Sequence, residues 1–100
     1  MKYDIQTVGF EATDDTKQFL ETQLQEIHDI HDNITGIDVY LKSVNDDEEE
    51  TKIAEIKVFK PGPSVYADHR SDKLDECIAQ TVNKIKRQLK KAKEIEYAKR

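Results

Sequence analysis

Leu74-Asp75-Glu76-Cys77-Ile78-Ala79-Gln80-Thr81-Val82-Asn83-Lys84-Ile85-Lys86-Arg87-Gln88-Leu89-Lys90-Lys91-Ala92-Lys93 is the stretch on which the architecture turns. Within it Leu74, Ile78, Val82, Ile85, Leu89 and Ala92 step by four, four, three, four and three residues. At about 100° per residue they stay in one narrow stripe, so the segment reads as a long amphipathic helix with one face to bury. Ser71 is the expected N-cap, and Asp72, Asp75 and Glu76 follow where the helix dipole favours acids. Lys84, Lys86, Arg87, Lys90, Lys91 and Lys93 occupy the other half of the wheel, six cations in ten residues with no acid among them. The stripe needs a sheet beneath it, and the cations make a ridge above.

The segments upstream supply that sheet. Tyr3, Ile5 and Thr7 alternate with Lys2, Asp4 and Gln6, which predicts a short strand with one buried face. Gly9 to Ala12 turns the chain, and Thr13 before Asp14 and Asp15 caps a first helix. Phe19, Leu20, Leu24, Ile27 and Ile30 line its inner face, Glu21, Gln25, Glu26 and Asp29 stay in water, and Asp32-Asn33 marks its exit. Ile37, Val39 and Leu41 alternate with Asp38, Tyr40 and Lys42 in a half-exposed pattern expected of an antiparallel strand. Val44 to Thr51 holds five consecutive acids and reads as a solvated hairpin loop. A third strand follows, with Ala54, Ile56 and Val58 on one face and Ile53, Glu55, Lys57 and Phe59 on the other. Pro61-Gly62-Pro63 then turns into a short fourth strand around Val65 and Ala67. The order is strand, helix, three strands, helix, an α+β pattern in one domain spanning residues 1–100, with about 94–100 expected as a flexible tail.

Charge is distributed unevenly along this pattern. Residues 1–50 carry three Lys against fourteen acids, a net of −11, and residues 51–100 carry thirteen Lys or Arg against seven acids, a net of +6. The overall −5 conceals that division, which speaks to partners and steering. With 36% hydrophobic and 37% charged residues the chain is polar but able to fold. The single cysteine, Cys77, excludes an intramolecular disulfide, and no apolar run approaches the ~20 residues of a membrane span. The start, Met1-Lys2-Tyr3-Asp4, has no apolar leader, so the expected compartment is the cytoplasm, with no membrane contact.

Candidate chemistry concentrates on the last helix. Clustered cations on a rigid element suit phosphate backbone, and the candidate RNA-binding set is Lys84, Lys86, Arg87, Gln88, Lys90, Lys91 and Lys93, with Lys57 and Arg70 from the strands. Arg87 leads because its planar fork holds a phosphate bidentately and stacks on a base, and Gln88 suits a base edge or 2′-hydroxyl. Lys60, Tyr66 and Lys17 are second-tier candidates. His28 and His31 with Glu26 and Asp32 have helical spacing, yet such carboxylate-rich helix ends are common and are read as surface. The acids of residues 46–50 lack the alternating spacing of a calcium loop, and Cys77 reads as a small packed residue. No nucleophile elbow, phosphate-cradling glycine loop or zinc spacing occurs, so no enzyme, no small-molecule substrate, no cofactor and no metal is expected.

Two segments carry a family resemblance. Asn83-Lys84-Ile85-Lys86-Arg87-Gln88-Leu89-Lys90-Lys91-Ala92-Lys93 is similar to the D-K-L-x-R-Q-L-x-K-x-K run of the ribosome hibernation-promoting factors, also called ribosome-associated inhibitors or sigma-factor modulation proteins. The strand-turn-strand from Ala54-Glu55-Ile56-Lys57-Val58 through Val65-Tyr66-Ala67 resembles the same family, and the match covers nearly the whole chain. The resemblance implies a β-α-β-β-β-α fold, a four-stranded sheet with two helices packed on one face, shaped like a double-stranded-RNA-binding domain. It also implies a bacterial stress-response factor, of a short form, that binds rRNA of the small ribosomal subunit in the mRNA and tRNA channel and keeps ribosomes inactive. The free protein is expected to be monomeric. From the residues alone two other readings stay open: an RNA-binding module acting away from the ribosome, and a regulatory domain whose acidic half meets basic proteins.

Overall fold

A computed structural model describes residues 2–45 and 50–98 of the chain. The elements are β1 (Tyr3–Val8), α1 (Asp14–Ile30), β2 (Gly36–Asn45), β3 (Glu50–Phe59), β4 (Val65–Ser71) and α2 (Leu74–Ala98). This is the expected β-α-β-β-β-α order. The strands lie in the sheet as β1-β2-β3-β4, with β1 parallel to β2 and the other two pairs antiparallel.

One core joins the layers. Leu20, Leu24 and Ile27 of α1 and Ile78, Val82, Ile85 and Leu89 of α2 are fully buried in one cluster with Val39, Leu41, Ala54, Ile56 and Val58 of the sheet. Both helices therefore cover the same sheet face, as the two apolar stripes require. At roughly 1.5–3 kcal/mol for each fully buried Leu or Ile side chain, this cluster is the main favourable term in folding. Among the described residues Thr81 is the buried polar residue of α2, and its hydroxyl donates to the Cys77 carbonyl at 2.7 Å, which satisfies it within the helix. Cys77 is itself buried, its thiol lies 3.2 Å from the Lys52 carbonyl, and burial pushes that thiol above its ordinary pKa. It packs, as the sequence suggests.

Several local expectations change. Thr13 caps α1 as predicted, accepting from the Thr16 N–H at 3.2 Å, and the helix ends at Ile30. Ser71 does not cap α2. It pairs with Lys52 as the last residue of β4, and the helix instead starts after Lys73, whose carbonyl accepts from Cys77 N–H at 3.1 Å. A residue still held in a ladder cannot also turn into a helix, and the Ser71 hydroxyl bonds Glu76 at 2.8 Å. Val44, Asn45, Glu50 and Thr51 are not loop either, because the ladder extends through the pairs Val44↔Thr51 and Asn45↔Glu50. The acids at 46–49 lie outside the described residues. On β1 the buried face stops early: Tyr3 and Ile5 are half-buried while Thr7 is exposed, since this strand is an edge. The tail expected from about residue 94 begins inside α2, which is helical to Ala98.

Gly9 makes the turn out of β1 possible. It has φ +85°, and a Cβ there would stand 2.5 Å from the Ser43 carbonyl oxygen. Among the described residues no helix is long and apolar enough to cross a membrane.

Candidate nucleic-acid interface

Burying the stripe of α2 lifts its other face away from the sheet, and the cations fall into two groups. Arg87, Lys90, Lys91 and Lys93 are exposed, and among the described residues they make no ion pair. The remaining candidates on the helix are anchored to the protein itself. Lys84 donates to the Asp68 carbonyl at 2.7 Å and faces Nδ1 of His69 at 3.3 Å, while Gln88 Nε2 donates to the Tyr66 carbonyl at 2.8 Å. Lys86 reaches across to α1 and pairs with Glu26, Nζ to Oε2 at 2.8 Å.

These anchors have a physical reason. β4 is an edge strand, whose outward carbonyls need partners, and Lys84 and Gln88 supply them at two successive outward positions. The acids of α1 sit beside α2 because both helices cover one face, which brings Glu26 to Lys86 across sixty positions of sequence. The ridge is consequently narrower than the sequence implied. Among the described residues four of the six helix cations are without an ion pair or hydrogen bond, and Gln88 is engaged with a main-chain carbonyl.

The other candidates lie elsewhere. Lys57 and Arg70 are exposed on the sheet face away from the helices, where Lys57 Nζ lies 5.2 Å from the centre of the Phe59 ring. Arg70 borders an open cleft with Glu50, Thr51, Ser71 and Asp72, away from the clefts that the helix cations line. Lys60 is half-buried, Tyr66 is 49% exposed, and Lys17 is exposed on α1. The tertiary structure thus gathers the α2 candidates and leaves Lys57 and Arg70 on another surface.

Two shallow clefts of about 420 Å³ each flank Arg87. One, on α2, is lined by Gln80, Asn83, Lys86, Arg87 and Lys90. The other, where α2 passes the edge of β4, is lined by Tyr66, Ala67, Asp68, Lys84, Arg87 and Gln88. Arg87 belongs to both. Gln80 was not among the expected residues, although its spacing of three from Asn83, seven from Arg87 and ten from Lys90 puts all four on one helix face. Asp68 and Glu26 were also missed, and nothing local in the sequence signals them.

Electrostatics favour part of this arrangement of charge. Asp75 and Glu76 stand in the first turn of α2, where the positive end of the helix dipole favours them, whereas the cations from Arg87 to Lys93 lie in its interior, short of the last turn. On α1 the acids are partly used by neighbours: Tyr3 donates its phenol to Glu21, which pushes that phenol above its ordinary pKa, and Gln25 bonds Asp29 at 2.9 Å. Among the described residues no three His, Cys, Asp or Glu side chains gather as a metal site, and His31 Nδ1 accepts from the Asn33 N–H at 3.2 Å.

With the geometry in view, residues 3–96 match the family described as Sigma 54 modulation protein / S30EA ribosomal protein. The chain belongs to that family. It is the family that the α2 run and the strand-turn-strand resembled. Among solved structures, the fold is similar to a ribosomal subunit interface protein from Coxiella burnetii, with a TM-score of 0.81 and 24% identity over 94% of this chain and 99% of that one. It is also similar to the N-terminal domain of Protein Y from Thermus thermophilus, with a TM-score of 0.78 and 23% identity over 91% and 98% of the two chains. At these identities the two structures speak to the fold of this S30EA family member. No curated protein matches the chain significantly.

Proposed function

We propose that this S30EA family member is a cytoplasmic hibernation factor, which binds the rRNA of the small ribosomal subunit in the mRNA and tRNA channel and holds ribosomes inactive. Family membership supports a ribosomal role, and the described location of the Coxiella burnetii protein at a subunit interface is carried over here. The observation that carries the reading is the row Arg87, Lys90, Lys91 and Lys93, exposed on one rigid helix without an ion pair among the described residues. Such a row exchanges condensed counterions for phosphate contacts, with a log-log salt slope of roughly 0.7–0.9 per phosphate neutralised. Four contacts give a slope near 3, so binding is strong at low salt and lost at high salt, on the order of that estimate. Arg87 is the central contact, since it borders both clefts. No catalytic step is part of the proposal.

Sedimentation of small subunits through sucrose at two salt concentrations tests it. The expected result is comigration at low salt, release at high salt, and loss of comigration when Arg87→Glu and Lys90→Glu are combined. Comigration that survives both changes removes α2 as the contact. Binding to duplex RNA without comigration transfers the protein to a role away from the ribosome.

A further inference from the structure

The cleft at the β4 edge differs from the ridge beside it. A ridge of lysines needs only phosphate, but this cleft combines an aromatic ring, a guanidinium, an amide and a carboxylate: Tyr66, Arg87, Gln88 and Asp68. Its volume of about 420 Å³ lies within the range of small-ligand sites, which run from roughly 300 to 1,000 Å³. It does not suit an added β-strand, because Gln88 and Lys84 already occupy the Tyr66 and Asp68 carbonyls. Any ligand must be held through side chains.

Tyr66 is the distinctive member. The residue is 49% exposed, yet its hydroxyl is fixed, donating to Glu55 Oε1 at 3.2 Å with Asp68 Oδ2 at 3.5 Å. Glu55 is in turn held by Lys42 at 3.1 Å. A ring fixed at its tip with an open face is a stacking platform that loses little freedom on binding. Two cations adjoin it: Lys57 is its directly paired neighbour on β3, and Arg87 lines the same cleft. The carboxylates of Glu55 and Asp68 repel phosphate from the hydroxyl end, which directs a backbone toward Lys57 and Arg87.

Building on the proposed RNA-binding role, we infer that this cleft takes one unstacked nucleotide of a single strand, with its base on the Tyr66 ring and its flanking phosphates at Arg87 and Lys57. Asp68 and the Gln88 amide then meet the base edge. The strand passes from α2 over the β4 edge onto the outer face of the sheet, and Lys57, which the fold separates from the helix cations, rejoins them along that path. Base–aromatic stacking tolerates any base, so the site selects an unpaired nucleotide and not a sequence.

The test uses the full chain with two fluorescent pentaribonucleotides, pentauridylate and the same backbone with its central base removed. The intact oligonucleotide is expected to bind about tenfold more tightly than the abasic one, in line with stacking at a single base. Tyr66→Ala is expected to abolish that difference without altering the salt slope, and Tyr66→Phe, which keeps the ring, to retain it. Arg87→Gln is expected to weaken both oligonucleotides alike. Equal binding of the two oligonucleotides by the unaltered protein overturns the inference, as does a base preference that survives Tyr66→Ala or a failure to bind pentauridylate at low salt. Sedimentation with small subunits is scored separately. Comigration without a base preference removes this nucleotide site alone, whereas a base preference without comigration removes the ribosomal role and leaves the site.

Discussion

Replacing Glu26 with Gln releases Lys86 from α1. In the folded protein Lys86 Nζ is 2.8 Å from Glu26 Oε2, with the two side chains 22% and 48% exposed. A pair this open to water contributes about 0.2–1 kcal/mol. For a domain of this length the loss lowers Tm by no more than roughly 4–8 °C, and the fold persists. Nucleic-acid binding should move the other way. Lys86 borders the cleft that Arg87 and Lys90 also line, so under the proposed RNA-binding role the freed ammonium joins their phosphate contacts. At 4 Å in water a unit-charge pair is worth about 1 kcal/mol, or about fivefold in affinity. One more neutralised phosphate also steepens the log-log salt slope by roughly 0.7–0.9. Binding of the Glu26→Gln protein to small subunits across a potassium chloride series measures both quantities, and a thermal melt measures the stability. A lowered Tm with unchanged affinity and slope would show that the α1 side of α2 faces away from phosphate, and the reasoning about the ridge would fail there.

Ile85 is fully buried in the cluster between helices and sheet, so Ile85→Ala should destabilise by about 2–5 kcal/mol, read as a lower urea midpoint with an unchanged m-value. Gly9→Ala forces a side chain into a positive-φ turn with its Cβ against the Ser43 carbonyl, and should cost roughly 1–3 kcal/mol in the same assay. The Tyr66 phenol is pushed from its ordinary 10.0 up to about 12 by partial burial, then by the charges of Glu55 and Asp68 and its bonds to them. A raised pKa means that the folded state holds the proton more tightly. The stabilisation is therefore complete below about pH 10 and is lost as the pH rises through about 12. In an alkaline titration followed by phenolate absorbance, Tyr66→Phe should remove a late-titrating phenol, and an unchanged curve would contradict the assignment.

The parts of the fold legible in the sequence were those set by local rules. The period of the α2 stripe, the Thr13 cap, the alternation in β2 and β3 and the Pro61-Gly62-Pro63 turn each depend on neighbours within a few residues, and each stands in the structure. The free cations of α2 were legible for the same reason, since their place opposite the stripe follows from helical period alone. Ser71 was misread because the ladder partner that holds it, Lys52, lies nineteen positions away and outweighs its capping preference.

Burial of two apolar stripes against one alternating sheet was thus written into the chain by its periodicities, and with it the existence of a cationic helix face. Which cations stay free was decided only by the tertiary structure. Both helices share a sheet face, which brings Glu26 to Lys86, and α2 lies along an edge strand whose carbonyls draw in Lys84 and Gln88. Those contacts join residues between sixteen and sixty positions apart. Electrostatic and hydrogen-bonding partners at such separations leave no period in the sequence, because distance along the chain does not constrain distance in space.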